Sequence, residues 1–481
     1  MNFRPIFYIN GILLLILSAF MLLPVFADLI MGNPDWRVFA SAQIITAFTG
    51  FAMIFSNRQK KFSMTVRETF LLTCLCWFMM ALFGTLPLYF SKIDISFAKA
   101  FFESTSGITT TGSTVLSGLD SMPHGILLWR HIMQWLGGIG FLVIALAVLP
   151  MLQVSGMQIY KTQSFGEVDK VLPSASQMAI YIFLIYSFLT FVCAILYHAA
   201  GMTGFDALCH ALSTVSTAGY STHDASIGYF KSATIDYICI FFMLAGAFPF
   251  VLYLKFIRGD HTALHRDSQV RSAIGIWAAL ILLVASYLMI TGRFFPQDAL
   301  RNATFMITTL MTTTGFSNAD YTLWGEFIIA IAFLATFLGF CSGSTTGGIK
   351  IFRLQILWSM MVQQLRQLMN PHGIFQVHYN KKLVDISVQA SIAGFIFVYL
   401  ASWIFFGVLL QLVGLDFVTA FTGSLTAISN VGPGLGHVIG PAGNFATLPD
   451  SAVWILSVAM LLGRLEFFTL LVILTPRFWR Q

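Results

Sequence analysis

Charge is scarce in this chain. Asp, Glu, Lys and Arg make up only 10% of the 481 residues, whereas 57% are hydrophobic and the mean hydropathy is +0.81. Soluble domains carry roughly 25% charged residues, so a water-exposed globular fold is excluded. The six cysteines (Cys74, Cys76, Cys193, Cys209, Cys239 and Cys341) make no C-x-x-C pair, which excludes a disulfide or zinc framework. The ten histidines show no H-E-x-x-H or paired-ligand spacing, and no clustered nucleophile accompanies them. An enzyme is therefore not expected. Nothing points to nucleic acid as a partner. The class that remains is an all-α polytopic membrane protein whose surroundings are a lipid bilayer.

About 20 apolar residues cross a bilayer as a helix. The apolar runs predict ten spans, near 6–30, 38–56, 68–90, 126–150, 177–200, 232–257, 272–291, 326–349, 385–412 and 452–476. The first run is longer than the core of a signal peptide, despite Arg4 before it and "VFAD" at 25–28, and is read as a retained span. With the N-terminus in the cytoplasm, 18 of the 26 Lys and Arg fall on the cytoplasmic face, including Lys60, Lys61, Lys161, Lys170, Lys350, Arg353 and Lys381. Six fall outside, and Arg130 and Arg464 lie within spans. This bias follows the positive-inside rule and places both termini in the cytoplasm.

Four outer connections are alike: "ISFAKAFFESTSGITTTGST", "FDALCHALSTVSTAGY", "LRNATFMITTLMTTTGF" and "FVTAFTGSLTAISNVGP". They align on Gly112, Gly219, Gly315 and Gly432. Twelve residues earlier each has alanine: Ala100, Ala207, Ala303 and Ala420. A hydroxyl stands six before the glycine (Ser106, Ser213, Thr309, Thr426) and three before it (Thr109, Ser216, Thr312, Ser429). An aliphatic residue or Met lies four before it. Each unit reads as span, short helix, polar glycine turn, span. The expected organisation is a two-span region at 1–67, then repeats at 68–152, 153–268, 269–382 and 383–481.

Non-helical backbone at membrane depth is tolerated only where protein buries it or water fills a cavity. Four re-entrant loops around one axis meet that condition. Cation filters replace an ion's hydration shell with backbone carbonyls, and glycine supplies the unusual backbone angles. The short helices add partial negative charge at their C-terminal ends. No carboxylate occurs in the four turns, which argues against an Asp/Glu ring. The candidate ion ligands are main-chain oxygens around Thr110, Thr111 and Gly112; Thr217, Ala218 and Gly219; Thr313, Thr314 and Gly315; and Asn430, Val431 and Gly432. The hydroxyls of Ser106 and Thr109 are read as braces.

On these motifs, and on "QWLGGIGFLVIALAVLP" (134–150), "CSGSTTGGIK" (341–350), "GPAGNF" (440–445) and "LLGRLEFFTLLVILTP" (461–476), the chain resembles the TrkH/TrkG branch of the Trk/Ktr/HKT superfamily over almost its whole length. The resemblance implies four M1-P-M2 repeats in pseudo-fourfold arrangement with re-entrant filter loops, two N-terminal spans before them, and potassium as the transported ion. It also implies a homodimer, a cytosolic TrkA-like nucleotide-binding ring and a bacterial inner membrane location. In plant relatives, serine at the first filter glycine goes with sodium preference; here that position is Gly112. The fourth turn departs from the first, with Asn430 and Val431 against Thr110 and Thr111.

Two further features lie within spans. Arg464 sits mid-span, where a charge costs about 2.5–3.5 kcal/mol on insertion scales. A local pair with Glu466 is disfavoured because residues two apart on a helix do not face each other. Arg464 is read as a positive barrier below the filter, as the resemblance also implies. The segment "GFCSGSTTGGIK" (339–350) breaks its span with glycines, and it lacks the G-K-[ST] of a phosphate loop. Gly343, Ser344, Thr345, Thr346, Gly347 and Gly348 are expected to form a gating loop. Arg130 is expected to snorkel or to pair with Glu103. The competing function is a sodium- or proton-coupled cation symporter. That class places ionisable groups on the transport path, whereas Glu103, Asp206, Asp298 and Asp416 lie only near the short helices.

Overall fold

The computed structural model describes residues 1–58, 64–144, 175–380 and 382–480. Lys60, Lys61, Lys161, Lys170, Lys381, the end of the span at 126–150 and the repeat boundary at 152/153 lie outside them. The described residues are helical apart from 3-10 turns, connecting loops and one short hairpin, His378–Tyr379 with Lys382–Leu383. Helices α1 (Arg4–Ile30) and α2 (Trp36–Ser56) form an N-terminal pair. A Cβ on Gly11 would lie 2.8 Å from the Gly50 carbonyl oxygen, so the two backbones cross closely.

Four similar units follow. The first is α3 (Val66–Phe90), α4 (Phe97–Ile108) and α5 (His124–Val143). The second is α6 (Ala175–Ala199), α7 (Gly204–Val215) and α8 (Ala233–Ala247), continued by α9 (Phe250–Ile257). The third is α10 (Ser268–Ile290), α11 (Pro296–Met311) and α12 (Glu326–Phe337), followed by α13 (Ile351–Met369). The fourth is α14 (Ile386–Leu412), α15 (Phe417–Ser429) and α16 (Asp450–Arg464), continued by α17 (Phe468–Leu474). The short helices α4, α7 and α15 start where sequence chemistry directs. Ser96, Thr203 and Asp416 accept the backbone N–H of Lys99, Asp206 and Thr419. Pro296 opens α11, where its missing N–H costs nothing.

Outward faces are apolar: Phe48, Ile290, Phe397 and Leu412 are each more than 70% exposed. Such surface is stable against lipid and not against water. Seven described helices are long and apolar enough to cross a membrane, or nine if two bent pairs each count as one. Three of the ten expected spans need correction. The run at 232–257 bends by 91° between α8 and α9, where Pro249 keeps Phe248 out of the helical region. The run at 452–476 bends by 111° between α16 and α17, because Glu466 and Phe467 take left-handed backbone angles. The run at 326–349 is helical only to Phe337. Arg464 therefore ends a helix and does not sit mid-helix.

In the first, second and fourth units the helix that leaves the turn packs directly under it. A Cβ on Gly137 would lie 1.9 Å from the Ile108 carbonyl oxygen. Gly246 opposes the Val215 oxygen at 2.6 Å and Gly463 the Ile428 oxygen at 2.0 Å in the same way. These carbonyls all stand four residues before the aligned glycines. Gly137→Ala is expected to force α4 and α5 apart and destabilise the fold by about 2 kcal/mol. Thermal unfolding of purified protein in detergent measures this; an unchanged midpoint would contradict the packing.

Candidate functional site

The four short helices end identically. In each, the residue two before the aligned glycine is left-handed: Thr110 (φ 56°), Thr217 (50°), Thr313 (55°) and Asn430 (55°). Its N–H bonds the carbonyl of Gly107, Thr214, Leu310 or Ala427. The next N–H, from Thr111, Ala218, Thr314 or Val431, bonds the carbonyl of Ser106, Ser213, Thr309 or Thr426. These two bonds make a Schellman ending at every site. The glycine itself is again at positive φ, between 81° and 116°. Alternating handedness lets successive carbonyls face the same side, which an extended strand does not. The three threonines are strained, since β-branched residues avoid this region; Asn430 tolerates it better.

The turns touch in cyclic order. A Cβ on Gly112 would meet the Ala218 oxygen at 2.2 Å, and one on Gly219 the Thr314 oxygen at 1.9 Å. Gly315 faces the Val431 oxygen at 2.1 Å, and Gly432 faces the Thr111 oxygen at 2.9 Å. The last contact closes a ring of four. Asn430 Nδ2 donates to Thr111 Oγ1 at 2.9 Å and to the Met460 carbonyl at 3.1 Å, a double role that threonine could not fill. The Thr109 hydroxyl bonds the Thr105 carbonyl and the Thr111 hydroxyl, and Thr312 repeats this with Thr308 and Thr314. The hydroxyl of Ser429 pairs with Tyr399 at 2.6 Å. Ser106 contributes its main-chain carbonyl to the helix ending, and its hydroxyl makes no bond among the described residues.

On one side of the ring, Gly112, Gly219 and Gly315 line a cavity of about 70 Å³, with Ser113, Ser221 and Ser317. His223 also borders it and bonds Asp120 through Nδ1 at 2.5 Å. This bond holds the Asp120 carboxyl below its ordinary range. On the opposite side, Asn430, Gly347, Lys350 and Arg464 border a space of about 10 Å³.

The loop after α12 lies on this side of the ring. Its ends are tied by Gly339 N–H to the Ile349 carbonyl and Ile349 N–H to the Phe337 carbonyl. Thr345 Oγ1 pairs with Thr217 Oγ1 at 2.8 Å, and Gly347 N–H donates to Thr313 Oγ1 at 2.7 Å. A Cβ on Gly347 would lie 2.1 Å from the Ser429 oxygen. Ser344 bonds Thr346, Gly343 accepts from Phe250 N–H, and Gly348 turns the chain at φ 65°. The loop thus touches the second, third and fourth turns. Arg464 donates to the Thr345 carbonyl at 3.1 Å and lies 3.9 Å from the centre of the Phe141 ring.

Several participants were not anticipated from sequence. Glu466 pairs with Arg353 of α13, not with Arg464. Lys350 donates to the carbonyl and hydroxyl of Thr346. Both Lys350 and Arg353 are buried, although the charge pattern assigns them to the cytoplasmic face. Gln134 brackets the second turn, donating to the Ala218 carbonyl at 2.6 Å and accepting from Tyr220 N–H at 3.1 Å. The available signal was a lone amide in an apolar run. Arg130 pairs with Glu103 at 2.7 Å and is 2% exposed, so it does not snorkel.

The family model of TrkH, described as cation transport protein, matches residues 36–294 and 276–480. The chain is 41% identical to the Trk system potassium uptake protein TrkI of Halomonas elongata, over all of this chain and 98% of that one. It is 35% identical to the Trk system potassium uptake protein TrkH of Escherichia coli, with both chains fully covered. The crystal structure of the potassium transporter TrkH from Vibrio parahaemolyticus superposes with a TM-score of 0.92 at 34% identity, again covering both chains fully.

Thr313→Val removes the acceptor for Gly347 N–H. Amide hydrogen exchange at Gly347 is expected to speed up roughly tenfold, the loss of one hydrogen bond. Unchanged exchange would show that this bond does not hold the loop.

Proposed function

Because the chain belongs to the TrkH family of cation transport proteins, we propose that it takes up potassium through a filter made by the four glycine turns. The observation that carries this reading is the cyclic set of contacts in which each aligned glycine faces the preceding residue's carbonyl in the next turn. Partly dehydrated cations need such a ring of oxygens, and the four helix C-termini add negative potential to it. The candidate ligands are the main-chain oxygens of Thr110, Thr111 and Gly112 and their counterparts at 217–219, 313–315 and 430–432. Each aligned glycine permits the close approach.

Residues 343–348 and Arg464 act in this reading as the gate. The loop lies against three turns from the inner side, and Arg464 adds a positive charge held by the Thr345 carbonyl. The carboxylates near the short helices are engaged elsewhere: Glu103 with Arg130, Asp206 with Thr203 and Thr222, Asp298 with Arg301, and Asp416 with Thr419 N–H. No observation therefore favours a proton- or sodium-coupled symporter. Family membership supports a homodimer in a bacterial inner membrane, both termini cytoplasmic, with a cytosolic TrkA-like ring of nucleotide-binding subunits moving the gate.

Uptake of potassium, rubidium and sodium in potassium-uptake-deficient cells tests the filter. Wild type should prefer potassium. Gly112→Ser places a Cβ at 2.2 Å from the Ala218 oxygen at a left-handed position and should lower the potassium-to-sodium ratio at least tenfold, about 1.4 kcal/mol of discrimination. An unchanged ratio would remove the filter assignment. Arg464→Ala, and deletion of 343–348, should each raise potassium flux at equal expression and without the regulatory partner. Unchanged or reduced flux in folded protein would remove the gate assignment.

A further inference from the structure

We propose that Arg130 and Glu103 are positioning residues for ion selection, holding the outer ends of the first and second turns as one unit. This rests on the filter reading above and assigns selectivity to residues outside the ring. Glu103, nine residues before Gly112, accepts from Thr114 Oγ1 at 2.9 and 3.1 Å and from Val115 N–H at 2.9 Å. Arg130, on α5, donates to Glu103, to Thr114 Oγ1 at 3.1 Å and to the Ser221 carbonyl at 3.1 Å. Its guanidinium lies 4.1 Å from the centre of the Tyr220 ring. The Tyr220 hydroxyl closes the set by donating to the Glu103 and Ser113 carbonyls at 2.8 and 3.3 Å. Residues 113–115 and 220–221, which follow the first two glycines directly, are thus fixed to one buried ion pair. A buried pair holds geometry well because removing either partner strands the other.

The remaining units do not repeat it. His210 stands where Glu103 does in the second unit and bonds Ser221, the counterpart of Thr114, at 2.9 Å. In the third and fourth units the same position is Met306 and Gly423. On the departing helices, Cys239 and Leu456 take the place of Arg130 in the second and fourth units, aligned on Gly246 and Gly463. At the third turn Asn318 Nδ2 donates to Asp236, which faces Arg301 at 3.5 Å, and at the fourth the Gly432 carbonyl accepts from Ser113 Oγ; neither bond involves a counterpart of Glu103 or Arg130. Charge-assisted bonds fix direction better than neutral ones do, so the Arg130–Glu103 pair holds the outer ends of the first two turns in register.

The test uses full-length protein in potassium-uptake-deficient cells, with surface amount measured for each variant. Glu103→Gln, Arg130→Gln and Thr114→Val should each lower potassium-over-sodium discrimination roughly tenfold. The apparent KM for potassium should rise, while maximal potassium uptake per surface molecule stays within about twofold of wild type. A purely structural role would lower the surface amount and leave discrimination and KM unchanged, which would overturn the proposal. Should either charge variant fail to reach the membrane, Thr114→Val decides, since it removes only the shared hydroxyl. Wild-type discrimination there overturns the proposal. If Gly112→Ser alters selectivity while these variants do not, this inference fails alone; if Gly112→Ser has no effect, the filter reading fails.

Discussion

The place where a Cβ would stand in one turn is filled by a carbonyl oxygen of the next. Four such contacts run round a closed ring, and much of the architecture follows from them. At 112, 219, 315 and 432 any Cβ would crowd that oxygen, so a side chain there must displace the neighbouring turn. To deliver the carbonyl at the right height, the preceding helix must end abruptly, which the Schellman bonds accomplish. That ending requires a left-handed residue two before the glycine, and three threonines accept the strain, of the order of 1–3 kcal/mol each. The surroundings hold them there: in the first, second and fourth units the departing helix brings a glycine against the short-helix end, so the turn cannot relax backwards.

The ring is symmetric in backbone and asymmetric in what surrounds it. Outside, the ion pair of Arg130 and Glu103 stiffens two turns. Inside, the third unit breaks the pattern, since α12 stops at Phe337 and the freed chain returns as a loop beneath the ring. The loop hangs on the very threonines that the turns hold left-handed, Thr217 and Thr313. A change in the loop is thus felt at the proposed filter, and the reverse holds. Arg464, Lys350 and Arg353 gather around the same region with Glu466 as the carboxylate partner of Arg353. In the gate proposed above, this excess of positive charge would oppose a cation passing the loop.

Much of this was legible in the sequence. The repeats could be read because four turns need the same residue classes at the same offsets. The break after Phe337 was announced by its glycines. The bend at 465–467 was not, because it uses Glu466 and Phe467, residues that avoid left-handed angles and are held there by Arg353, Phe395 and Tyr399. Such tertiary support leaves no local mark. The burial of Lys350 and Arg353 was hidden for a similar reason: a charge count treats every cation near a span end as solvated. Gln134 reaches its turn from another helix, and no spacing reveals that.

The central claim is that main-chain oxygens around the four glycines hold the ion. Anomalous diffraction from crystals of the protein grown in rubidium tests it most directly. The account predicts density on the axis of the ring, within ligand distance of carbonyls from all four turns at 110–112, 217–219, 313–315 and 430–432. Rubidium found instead beside carboxylates such as Asp120 or Asp206, with none on the axis, would contradict it.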